Sequence, residues 1–151
     1  MENASKALII SAEILIGVLL LTFLVFMLNS MDTFSQTVNS NIETKNVNEF
    51  NSQFETYNGR NNLTAQDVIT IGNLARNYNN TEEGQETKNK IIVYLQGTES
   101  KYANVHTLND EQTYEFIEKY SVENKATFEC QITAYSENTK KVNRIQLKML
   151  K

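Results

Sequence analysis

A chain of 151 residues with one Cys, one His, no Pro and no Trp carries a net charge of −4 and is 40% hydrophobic. That charge argues against nucleic acid as a partner, because phosphate binding needs clustered Lys and Arg. Cys130 cannot close an internal disulfide alone, and His106 leaves little material for a zinc site, so no cofactor is expected. Much of the apolar content is packed into the first 28 residues. The remainder is polar and rich in Asn, which suits an exported exterior and equally the codon bias of an AT-rich genome.

The first element is an apolar run from Ala7 to Leu28, broken by one carboxylate at Glu13. At about 1.5 Å per residue it reaches roughly 33 Å, enough for a hydrocarbon core of about 30 Å. A secretory signal peptide has a shorter apolar region, about 7–15 residues, followed by small residues. Here Asn29, Ser30, Met31 and Asp32 follow instead. Lys6 precedes the run, whereas Asp32 and Glu43 come after it, and the next Lys is Lys45. The positive-inside tendency then predicts a single-pass protein with a cytoplasmic amino terminus and an extracytoplasmic C-terminal part. The expected organisation is a membrane-spanning helix with a short leader over 1–30 and a head over 31–151, with the lipid bilayer as one partner.

A charged side chain near the bilayer centre costs at least roughly 2.5–3.5 kcal/mol, so Glu13 needs explaining. It can lie near the interface, roughly 9–10 Å along the helix from Lys6, solvated by water and headgroups. It can instead be buried in hydrocarbon and neutralised by a positive group on a neighbouring copy, an amino terminus or Lys6. Such a pair fixes the stagger between packed helices.

The stretch Lys6-Ala7-Leu8-Ile9-Ile10-Ser11-Ala12-Glu13-Ile14-Leu15-Ile16-Gly17 resembles the stem of type IV pilins and pseudopilins. It is also similar to uncharacterised pilin-like proteins of low-GC Gram-positive bacteria that begin with a Met-Glu-Asn-Ala-Ser-Lys-Ala-Leu-Ile-Ile stretch. In that family a glutamate at the fifth position of the mature chain is thought to bond the amino terminus of the adjacent subunit. The resemblance implies this role for Glu13, with Lys6 beside it, and a processing site at Ala7 or Leu8. Cutting after Leu8 makes Glu13 fifth, although the prepilin peptidase prefers Gly and tolerates Ala; cutting after Ala7 makes it sixth.

Beyond the span, Met31, Phe34, Val38 and Ile42 recur at helical spacing. The phase slips before Val47, Phe50, Phe54 and Tyr57, so one helix to about 57 is predicted, with a kink expected near 43–46. Asn58-Gly59 is its stop. Thr64-Ala65-Gln66-Asp67 opens a second helix, with Val68, Ile71, Leu74, Ala75 and Tyr78 as its buried stripe. The acidic segment 81–88 reads as a loop. Ile91 to Leu95, closed by Gly97, reads as a buried strand. A helix with Tyr114, Phe116 and Ile117 is predicted over 109–120. Phe128, Cys130, Ile132 and Ala134 alternate with polar residues, as do Ile145, Leu147 and Met149, predicting an antiparallel hairpin. The fold class is therefore α+β: a long N-terminal helix packed on a small antiparallel sheet of at least three strands, with two further short helices. This is the architecture of a pilin or pseudopilin head.

No set of residues reads as catalytic or metal-binding. Cys130 lies between Phe128 and Ile132 and reads as a small buried thiol; His106 has no second His with which to form a relay. The acids Glu82, Glu83 and Glu86, and Asp110, Glu111, Glu115 and Glu118, lack the order of a calcium loop and read as solvated faces. Asn62-Leu63-Thr64 and Asn79-Asn80-Thr81 fit the glycosylation pattern. Lys140, Lys141, Arg144, Lys148 and Lys151 make the last strand basic, either as a charged edge that discourages pairing or as a patch complementary to the acids. The expected function is a non-enzymatic structural subunit of a pilus-like filament or pseudopilus, associating with itself or other pilin-like subunits. The alternative is a single-pass anchored protein whose head binds a ligand or partner without forming filaments.

Overall fold

The structure, a computed structural model, describes residues 2–150 and divides into two compact units, Met1–Lys45 and Asn46–Lys151. Helix α1, Glu2–Glu55, runs through 54 residues and is continuous across 43–46, where the apolar phase slips. In the first unit the hydroxyls bond back to the preceding turn: Ser11 to the Ala7 carbonyl, Thr22 to Val18 and Ser30 to Phe26, each at 2.8 Å. These bonds let hydroxyl groups sit in an apolar medium without an outside partner. This helix is long and apolar enough to cross a membrane, with a mean hydropathy of 2.7 over its most apolar window.

The second unit begins with the last turns of α1. Phe54 is buried and Phe50 partly so, with the Phe50 ring 4.7 Å from that of Tyr78. The helix closes at Glu55, and Gly59 takes a positive φ of 75° that suits the Asn58-Gly59 stop. Helix α2, Ala65–Asn79, opens on a reciprocal cap: the Thr64 hydroxyl accepts from the Asp67 amide, and the Asp67 carboxylate accepts from the Thr64 amide. Of the predicted stripe, Val68, Ile71, Ala75 and Tyr78 are buried, whereas Leu74 is only partly so. The acidic segment is not wholly a loop. Thr81 caps a single turn, α3 (Glu82–Gln85), its hydroxyl accepting from the Gly84 amide at 3.1 Å.

Strands β1 (Ile92–Gln96), β2 (Phe128–Tyr135) and β3 (Val142–Met149) form one sheet in the order β1-β3-β2. Helix α4, Asp110–Ile117, capped by Asn109 and Gln112, continues as a π-turn over Glu118–Glu123 and precedes β2. The predicted hairpin is present: β2 and β3 are antiparallel, with Cys130 opposite Leu147 and Ile132 opposite Ile145. The expectation of a wholly antiparallel sheet is corrected, because β1 runs parallel to β3, with Val93 beside Ile145 and Leu95 beside Leu147. Alternation of side chains sets which face is buried but not the neighbour or its direction, and only the short 136–141 loop dictated an antiparallel partner. Two other expectations change for the same reason. The basic strand β3 is central rather than an edge, and β1 is buried on one face only, leaving Ile92 and Tyr94 exposed.

The core lies on the inner face of this sheet. Val93, Leu95, Phe128, Cys130, Ile145 and Leu147 meet Phe116, Tyr120 and Tyr102, whose rings pack edge-on and tilted at 4.8–5.9 Å. Burying an aliphatic or aromatic side chain contributes about 1.5–3 kcal/mol, so this layer dominates the head's stability.

Both sheet edges are closed by irregular chain. Along β2, Leu63 exchanges amide bonds with Phe128, Arg60 accepts from the Cys130 amide, and the Asn58 side chain accepts from the Ile132 amide. Along β1, Ala103 accepts from Leu95 and the His106 ring from Val93. Gly97, with a φ of 87°, turns the chain out of β1.

Candidate functional site

Two regions carry the sequence-predicted residues. In the first unit, Lys6 and Glu13 are not brought together within one chain. Lys6 instead bonds Glu2 one turn earlier at 2.9 Å, an exposed pair of little energetic weight. Glu13 is exposed on α1 and has no hydrogen-bond or ion-pair partner among the described residues. Ala7 and Leu8 are helical and exposed, and the Ala7 carbonyl accepts from Ser11. Around them, Leu8, Ile9, Ile10, Ile14 and Leu15 are uncovered, and so are residues past the span: Met31 is 65% exposed and Phe34 70%. Val38 of that second stripe is half-buried. An apolar surface of this extent on one helix is stable only against lipid or other protein.

In the second unit the remaining candidates are structural. Cys130 is 1% exposed, and burial pushes its thiol up to about 11, so it remains protonated and inert at neutral pH. The His106 ring accepts from the Val93 amide at 3.2 Å, and partial burial lowers its pKa, which favours the neutral ring that this bond requires. The acids are dispersed over faces and ion pairs. Glu115 meets Lys101 at 2.7 Å, Glu99 pairs with Lys119, and Glu83 meets Lys141 at 2.6 Å. Among the described residues no group of three or more His, Cys, Asp or Glu can hold a metal ion. Of the two glycosylation patterns, Asn62 is exposed, whereas Asn79 is engaged on both sides of its amide by Ile91, at 2.9 and 2.8 Å.

Of the basic cluster, Lys141 leaves the surface. Its side chain is 16% exposed, with the ammonium over the Phe50 and Tyr78 rings at 5.1 and 5.2 Å and on the Glu83 carboxylate. Burial and then Glu83 push the Tyr78 phenol up to about 12. Arg144 and Lys148 stay exposed on the outer face of the sheet, with Lys90 just before β1, while Lys151 lies outside the described residues. Arg144 borders a shallow depression of about 280 Å³ lined also by Ile92, Tyr94, Gln96 and Thr133.

The residues that hold the head together include several the pattern of the sequence did not single out. Asn51 of α1 donates to the Lys140 carbonyl at 3.0 Å and accepts from the Val142 amide at 2.9 Å, clamping the last turns of α1 onto the hairpin. Asn89 donates to the Glu83 carbonyl and the Glu86 carboxylate and accepts from the Ser136 hydroxyl. In an Asn-rich chain nothing marks these two, since their partners lie up to 91 residues away.

No family model, no curated protein and no solved structure matches this chain.

Proposed function

We propose that this chain is a structural subunit of a type IV pilus-like filament or pseudopilus. The stem is held in the membrane by Ala7–Leu28 before assembly and packs against sister stems afterwards. The observation that carries this reading is a lone acid, Glu13, without a partner among the described residues, set in a helix whose apolar surface is uncovered. One neutralising contact from a neighbouring copy removes the cost of an isolated charge in hydrocarbon and sets the offset between helices. The uncovered Met31 and Phe34 extend the same demand for a neighbour past the span. The residues of the head supply stability and surface, not chemistry, and Lys6 before the span with Asp32 and Glu43 after it supports an extracytoplasmic head.

Tagged and untagged full-length copies co-expressed and extracted in mild detergent test this. Glu13→Gln is expected to abolish co-purification while leaving both copies in the membrane fraction, whereas unchanged co-purification overturns the proposal. Intact mass of the extracted protein checks processing, which is expected after Ala7 or Leu8.

A further inference from the structure

The second unit has two exposed faces of opposite charge, each with an apolar centre. On α4 and its π-turn, Tyr114, Glu118 and Val122 recur every four residues, and Tyr114 and Val122 are 70% and 69% exposed. Glu111 flanks them, and neither Glu111 nor Glu118 has an ion-pair partner among the described residues. The same helical segment turns Phe116 and Tyr120 inward onto Phe128, so the Tyr114–Val122 ridge faces away from the sheet. Across the sheet, the outer face holds Ile92 and Tyr94 beside Arg144, with Lys148 further along β3 opposite Glu129. Arg144 has no acidic partner among the described residues, and the depression it borders runs from β1 across β3 to Thr133 of β2. The ridge and the depression therefore lie on opposite sides of the sheet.

Building on the filament reading, we infer that the acidic ridge of one copy docks into the basic depression of the next. Tyr114 and Val122 are covered by Ile92 and Tyr94, and Glu111 and Glu118 face Arg144 and Lys148. Charge complementarity selects a second copy as the occupant, because the ridge presents carboxylates and the depression a guanidinium, each without an ion-pair partner among the described residues. Such a contact joins unlike surfaces, so it propagates from copy to copy rather than closing a pair, as a filament requires. Pairing through strand edges is blocked by segments 58–63 and 103–106, which leaves faces for association.

The test uses full-length protein in membranes. Copies carrying Tyr114→Cys are co-expressed with differently tagged copies carrying Tyr94→Cys; native Cys130 is buried. A disulfide-linked pair is expected in the mixture and in neither single-variant membrane. A pair formed by either variant alone, or none in the mixture, overturns the inference. In copies bearing both cysteines, Glu118→Arg or Arg144→Glu is expected to abolish the cross-link. Their combination is expected to restore it, since every copy then carries both swapped charges, and a failure to restore counts against the docking. Stem-dependent co-purification is read on the same membranes. If it persists while the cross-link is absent, only the head contact falls; if it is absent as well, the filament reading falls with it.

Discussion

Replacing Asn51 isolates the contact that ties the end of α1 to the hairpin. The Asn51→Leu variant keeps a similar volume but strands the buried Val142 amide and the partly buried Lys140 carbonyl. An unsatisfied buried group costs about 1–3 kcal/mol. Taking about 2 for the amide and about 1 for the carbonyl gives roughly 3 kcal/mol, a sizeable share of a typical stability of about 5–15 kcal/mol. For a head of this size that lowers Tm by on the order of 10 °C. Near-ultraviolet circular dichroism of the full-length protein in detergent reads the transition, and hydrogen exchange at the Val142 amide reports the local opening. Asn51→Asp adds a sign test. Its carboxylate keeps the bond from Val142 but faces the Lys140 oxygen, so its folded pKa is raised and protonation restores a donor. Stability of that variant is then greatest at acid pH and lost as pH rises through the folded pKa. A Tm for Asn51→Leu within about 2 °C of the parent would refute the clamp, since even one stranded amide exceeds that.

Three more outcomes follow from the head. Cys130 should react with a disulfide reagent at pH 8 at least about 100-fold more slowly in the folded protein than in urea, as a buried thiol held near 11 requires. The folded pKa of His106 lies below its ordinary 6.5, so its stabilising contribution is complete above that value and is lost as pH falls through the folded pKa. Urea midpoints from pH 7 to 5 should therefore drop less in His106→Gln than in the parent. Thr64→Ala removes the reciprocal cap of α2 and should cost about 1 kcal/mol by urea titration.

The parts of the fold written in local chemistry were legible in the sequence. Thr64 and Asp67 announce α2 through a cap, Gly97 ends β1 through its positive φ, and the alternation around Cys130 and Ile145 defines the hairpin. What stayed hidden depends on contacts between distant segments. The parallel pairing of β1 with β3 spans a crossover through α4 and β2, and no periodicity records the direction of a partner. Asn51 and Asn89 look like every other Asn until the hairpin arrives beside them, and Lys141 looks like its basic neighbours until two rings enclose it. The turn at Glu82–Gln85 was obscured by its acids, which read as solvated until Thr81 is seen capping it. Of the candidate assembly residues, Glu13 was visible as a break in an apolar run, whereas the Tyr114–Val122 ridge needed the π-turn to bring it into line.

The central position of β3 bears on how the head matures. It is the last strand in chain order and the one to which both others bond, so β1 and β2 have no sheet to join until residues 142–149 have been synthesised. A chain stalled before that point displays loose greasy strands to proteases. The outward faces on either side of the sheet likewise take shape only after synthesis has passed its spine.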